Sequence, residues 1–110
     1  MAKVRARLCP ELIRSLMIRR SHSNLLQFIE EYGDKYEATH RFTVKGTGIE
    51  AAEEVFDLTN NPSRSEESLD KYGSLRSLNV GDIVVVEEMN DDGSFTEVSY
   101  LCENIGWTAL

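Results

Sequence analysis

Cysteine is scarce in this chain: there are two, Cys9 and Cys102, far apart and with neither a CxxC pair nor a histidine at ligand spacing. That pattern excludes a zinc finger, an iron–sulfur site and a disulfide scaffold, and predicts two reduced core thiols. Long apolar runs are missing too, none approaching the ~20 residues that cross a bilayer, so no membrane partner is expected. The basic start, Lys3, Arg5 and Arg7, lacks the uninterrupted apolar stretch of a secretory signal because Glu11 and Arg14 break it, and a cytoplasmic location is the expectation. Glycine and proline are too few for a fibrous or linker chain.

Signatures of chemistry are lacking as well. Gly46-Thr47-Gly48 before a helix has neither the glycine spacing nor the Lys-Ser/Thr pair of a phosphate loop, and Glu50 at its mouth opposes a phosphate. Asp91 and Asp92, with Glu87 and Glu88 nearby, lack the ligand spacing of a calcium loop. His22 falls in a polar break. His40 alternates with apolar residues, where a ring satisfied by backbone or hydroxyl groups is the plainer reading beside a general base. Serines and acids abound, but no nucleophile elbow places them. The expectation is a protein that is not an enzyme, with no catalytic residues, no metal and no cofactor.

What is present is charge, unevenly placed. Residues 1–20 hold six Lys/Arg against one Glu, a balance of +5, whereas residues 21–110 hold six against eighteen, a balance of −12. An acidic body repels phosphate backbones, which leaves the N-terminal strip as the one candidate nucleic-acid surface, through Arg5, Arg7, Arg14, Arg19 and Arg20. The acids Glu50, Glu53, Glu54, Asp57, Glu66, Glu67 and Asp70 form the candidate protein-contact surface, with a solvated face as the plain alternative. Opposite-sign patches on one molecule also offer a route to a homodimer.

In chain order, residues 2–8 alternate Ala2, Val4, Ala6, Leu8 with Lys3, Arg5, Arg7, predicting a half-buried strand, placed at a sheet edge where basic residues discourage mispairing. Pro10 suits the first turn of a helix over 10–20, carrying Leu12, Ile13, Leu16 and Met17 on one arc. A second helix over 25–32 uses Leu25, Phe28, Ile29 and Tyr32 and ends at Gly33. Residues 36–45 alternate cleanly, so Tyr36, Ala38, His40, Phe42 and Val44 are expected on one face of one strand. A helix over 49–60 follows, with Thr47 and Glu50 at capping-box spacing and Ile49, Ala52, Val55 and Phe56 as its buried face. Residues 60–78 lack periodicity and read as a long loop holding at most a short helix over 65–72.

The C-terminal stretch carries the strongest local signal: a turn at 79–82, the apolar strand Ile83-Val84-Val85-Val86, a turn at Asn90-Asp91-Asp92-Gly93, and a returning strand over 95–102. Trp107 then plugs the core or, if exposed, anchors an interface. Arg76-Ser77-Leu78-Asn79-Val80-Gly81-Asp82-Ile83-Val84 with the later Gly106-Trp107 resembles the "RSLSVGDVV … GW" tail of small uncharacterised proteins carried by bacteriophages and plasmids, with Asn79 standing where that pattern has Ser. The resemblance extends to residues 51–62, ending in Asn60-Asn61-Pro62. It implies a mobile-element origin and a bacterial host cell.

These readings combine into one α+β domain over 1–110, ordered β-α-α-β-α-β-β, with a mainly antiparallel sheet of four or five strands packed on one side by helices. The leading function is an accessory protein that binds a host protein; the alternatives are a nucleic-acid-associated accessory protein and a small enzyme. Elemental analysis and an ultraviolet spectrum of the purified protein are expected to show no stoichiometric zinc, iron or nucleotide. Any of these at one equivalent overturns that expectation.

Overall fold

Four consecutive β-branched residues favour a strand covered on both faces, and residues 83–86 meet that condition at the centre of the molecule. In the computed structural model, which describes residues 2–10, 29–39, 41–72, 78–103 and 106–110, strand β4 (Ile83–Met89) has Ile83, Val84, Val85 and Val86 all inaccessible to solvent. Val84 and Val86 join one apolar cluster with Ala2, Val4, Ala6, Val44, Ala51, Ala52 and Val55. Ile83 and Val85 join another with Cys9, Tyr36 and Leu101, against which Ile29 and Tyr32 pack. The expectation of helices on one side is therefore corrected, since residues 29–32 are helical and lie on the face opposite the helix that follows Gly46.

The fold is α+β, and its sheet is antiparallel throughout. The strands β1 (Ala2–Leu8), β2 (Glu37–Ala38), β3 (Phe42–Val44), β4, β5 (Phe95–Cys102) and β6 (Trp107–Ala109) run in the order β2-β1-β4-β5-β6, with β3 also on β1. That is six strands among the described residues, where four or five were expected. The hairpin stands as read from sequence, from Met89↔Phe95 to Ile83↔Leu101. Its tip closes through Asn90 N–H to Ser94 O at 2.6 Å, with Gly93 at φ 86°. β1 has the expected alternation, buried at Ala2, Val4, Ala6 and Leu8. Its expected edge position is corrected: β4 lies on one side and β2 and β3 on the other, so the edge that would have carried a dimer is already paired within the chain.

The single strand expected over 36–45 is also corrected. Arg7 pairs with Ala38, but Val4 pairs with Phe42, so two β1 residues face three on the partner. This is a β-bulge, and one extra residue in a period-two structure reverses the facing of everything beyond it. Tyr36 thus enters one cluster and Val44 the other. The ladder is repaired by a side chain. Ala6 N–H donates to Thr39 Oγ1 at 2.9 Å while Thr39 N–H donates to Ala6 O at 2.9 Å. His40, the expected helix over 10–20, and the first part of that over 25–32 lie outside the described residues.

Helix α1 (Gly48–Asn60) buries Ala51, Ala52, Val55 and Leu58, not the expected set with Ile49 and Phe56, which are 47% and 40% exposed. At 100° per residue Ile49 and Phe56 lie roughly 110–130° from the centre of the buried arc. The two alanines let the helix approach a sheet face that itself carries Ala2 and Ala6. The capping box does not form: Thr47 is the N-cap without a side-chain bond, and Gly48 N–H donates instead to Glu88 Oε1 from β4. A carboxylate there suits the positive end of the helix dipole. Within the stretch 60–78 the short helix allowed for over 65–72 is present as α2 (Ser65–Tyr72), and a 3-10 turn (Pro62–Arg64) not read from the sequence precedes it.

At the base of the hairpin, Asp82 is fully buried. Its carboxylate accepts from Cys9 N–H at 2.8 Å and Asn79 N–H at 2.9 Å, and its carbonyl accepts from Cys102 N–H at 2.9 Å. Tyr36 OH donates to the neighbouring Gly81 O at 2.8 Å.

Thr39→Val keeps the shape at the bulge but strands the Ala6 amide, a loss of about 1–3 kcal/mol by the usual cost of an unpaired buried donor. Urea unfolding of that variant beside Thr39→Ser, which retains the acceptor, checks this. Equal stability of the two variants overturns the repair role.

Candidate functional site

The acids singled out from sequence divide into two groups. Glu54, Asp57 and Glu67 converge on one cation: Arg64 Nη2 to Glu54 Oε1 at 2.7 Å, Nη1 to Asp57 Oδ2 at 2.6 Å, and Nε to Glu67 Oε1 at 2.8 Å. The hydrogen bonds it donates to Glu67, Glu54 and Asp57 hold the guanidinium even more firmly protonated than usual. Arg64 thereby ties α1 to the first turn of α2. A cleft of about 530 Å³ beside it is lined by Thr43, Val44, Lys45, Glu54, Leu58, Arg64 and Glu67, and within it Arg64 is set against Glu54 and Glu67. The other four acids, Glu50, Glu53, Glu66 and Asp70, are exposed.

The basic candidates are partly engaged within the chain. Arg5 forms an ion pair with Glu97 at 3.2 Å. Arg7 donates to Gly33 O at 2.6 Å and lies over the Tyr36 ring, 5.9 Å from its centroid. On this sheet face Lys3, Glu87 and Glu97 are successive cross-strand neighbours, and Arg41 reaches Glu87 at 3.8 Å. Opposite charges side by side on adjacent strands stabilise the sheet modestly. Arg14, Arg19 and Arg20 lie outside the described residues.

A second cleft, of about 240 Å³, lies where α1 meets the end of the sheet. It is lined by Glu53, Phe56, Cys102, Glu103, Gly106 and Trp107. Trp107, half-buried at the start of β6, packs on the first apolar cluster and meets Phe56 edge to face, with centroids 6.4 Å apart and planes at 86°. The two rings make a corner. Glu103 N–H donates to Gly106 O at 3.1 Å, Gly106 has φ 77°, and Thr108 Oγ1 donates to Glu103 Oε2 at 2.6 Å. In the sequence Glu53 and Trp107 stand out separately, Phe56 reads as core, and Glu103 carries no signal. The register of β5 against β6, Cys102↔Trp107, is what brings them together, and no local pattern announces it.

Both cysteines are buried thiols outside any disulfide, as expected. Burial, then Asp82 and Glu103, push the Cys102 thiol up to about 11, so the cleft floor is neutral at physiological pH. Among the described residues no group of three or more His, Cys, Asp or Glu is arranged to hold a metal, and no helix is long and apolar enough to cross a membrane.

A thiol whose folded pKa exceeds its unfolded value leaves stability unchanged while both states are protonated. As pH rises past ~9 the unfolded thiol ionises first, and stability falls by about 1 kcal/mol per pH unit until the folded thiol ionises near pH 11. Denaturant unfolding between pH 8 and about 10.5 is expected to show this slope, and Cys102→Ala to make it shallower. An identical slope in the alanine variant overturns the assignment to Cys102. Tyr36, whose hydroxyl is pushed well up by burial and by Cys9 and Asp82, adds its own loss only above ~10.

No known family model, curated protein or solved structure matches the chain.

Proposed function

We propose that this is a small non-catalytic accessory protein, of the bacteriophage or plasmid kind that its C-terminal tail resembles, and that it binds a host protein through the outer face of α1. The observation that carries this reading is the placement of Ile49 and Phe56. Both are large apolar side chains left 47% and 40% exposed on a helix whose buried face is Ala51, Ala52, Val55 and Leu58, and both have exposed acids, Glu50 and Glu53, on the same helix. Apolar anchors rimmed by like charges are the anatomy of a specific, electrostatically steered interface. The partner surface that suits them is basic with an apolar centre. Glu54, Asp57 and Glu67, held on Arg64, support the helix rather than the contact.

The nucleic-acid alternative draws less support, since Arg5 and Arg7 are engaged with Glu97, Gly33 and Tyr36. Pull-down from nuclease-treated bacterial lysate tests the choice. A captured protein retained by the parent chain and lost from Glu50→Lys/Glu53→Lys and from Phe56→Ala supports the α1 face. Capture indifferent to those changes overturns it, as does a DNA or RNA mobility shift at low salt without protein capture.

A further inference from the structure

We infer that the cleft walled by Phe56 and Trp107 is the seat for one arginine side chain of the partner, an inference that rests on the α1-face reading and extends it to a ligand chemistry. Three features point the same way. The aromatic walls stand nearly perpendicular, at 86°, so a planar guanidinium stacked on one ring presents its N–H edge toward the other side of the corner. Among the described residues the charged side chains lining the cleft, Glu53 and Glu103, are carboxylates, and guanidinium is the cation that combines ring stacking with directional donation to carboxylates. The volume, about 240 Å³, lies below the ~300–1,000 Å³ of pockets for drug-sized ligands and suits a single long side chain.

The chemistry of the lining favours this occupant over an anion or an apolar group. Two carboxylates repel phosphate or carboxylate ligands, and a purely apolar side chain would desolvate them without returning a hydrogen bond. Glu103 is oriented by Thr108 at 2.6 Å, which fixes one wall. Glu53, one turn before Phe56 on α1, sits on the exposed face that meets the partner. The neutral Cys102 thiol contributes an apolar floor. The chain already satisfies one guanidinium with carboxylates from α1 and α2, at Arg64; the second cleft offers a partner's guanidinium a comparable acidic setting with aromatic walls in addition.

Trp107 is the sole tryptophan, so its emission reports occupancy of this cleft alone. The probe is an octapeptide alternating arginine and glycine, followed by fluorescence anisotropy of a labelled form for overall docking and by Trp107 emission for the cleft. A control peptide carries citrulline, uncharged and nearly isosteric, in place of every arginine. The expected result is a saturable Trp107 change that tracks anisotropy, with affinity about tenfold lower for the citrulline peptide and for Glu53→Gln and Phe56→Ala proteins, whose folding is verified by circular dichroism. Anisotropy that reports binding and is weakened by Glu50→Lys and by Phe56→Ala, with Trp107 silent and the citrulline peptide bound equally well, overturns the arginine seat and leaves the α1 face standing. No anisotropy change with either peptide overturns both.

Discussion

The buried carboxylate of Asp82 is the constraint around which the sheet is assembled. Removing a charge from water costs several kcal/mol unless its oxygens are satisfied. Here both oxygens accept from backbone amides, Cys9 at the end of β1 and Asn79 at the entry to the turn, while the backbone of the same residue bonds Asn79 and Cys102. Charge-assisted bonds of this kind are roughly twice as strong as neutral ones. The carboxylate's partners come from positions 9 and 79, so its desolvation is offset only when the end of β1 meets the turn, while the backbone carbonyl of the same residue ties in β5 through Cys102. Tyr36 bonding Gly81 O adds the strand after the 3-10 turn Gly33–Lys35 to the same junction. The apolar clusters supply area, and Asp82 supplies register.

Register also separates what the amino-acid pattern discloses from what it hides. Strand β1 and the hairpin over 83–102 are legible because alternation and turn residues are local properties. The central position of β4 follows from its uninterrupted β-branched run. The break in residues 36–45 is invisible for the opposite reason: the alternation is clean, and only the pairing partner reveals that three residues face two. Thr39 reads as one polar residue in a polar row, yet its hydroxyl closes the gap at Ala6. The buried arc of α1 misleads similarly. Size suggests Ile49 and Phe56 for the core, but the sheet it packs on presents Ala2 and Ala6, and close approach selects Ala51 and Ala52. Its cap arrives from Glu88, forty residues away.

Net charge proves a poor guide to free charge. The total of −7 and the acidic bias of residues 21–110 suggest an unbroken acidic surface, yet Arg64 gathers three of those carboxylates into one network, where the cation is shared and geometry is near ideal. Isolated surface pairs contribute about 0–1 kcal/mol, but a shared network with short bonds is the case in which ion pairs matter. Residues 62–72, aperiodic in sequence, gain their helix from this tie as much as from their own apolar content. Exposed acids remain elsewhere on the surface, and what distinguishes Glu50 and Glu53 is their place on α1 beside the exposed side chains of Ile49 and Phe56.

The same logic locates the candidate site at the meeting of two separately determined elements. The position of α1 is set by the alanine contact with the sheet and by Glu88 at its first amide; that of Trp107 is set by β6 pairing with β5 and by the left-handed turn at Gly106. Neither element needs the cleft for its own stability, because each buries its apolar side elsewhere. Trp107 packs on the first apolar cluster and meets Phe56 edge to face, yet both rings stay partly in water, and the two carboxylates beside them add desolvation cost to any attempt to close the gap. In the proposed complex a partner's guanidinium would cover the aromatic surface left in water and pair with the carboxylates, which closing the gap with an apolar group would not do.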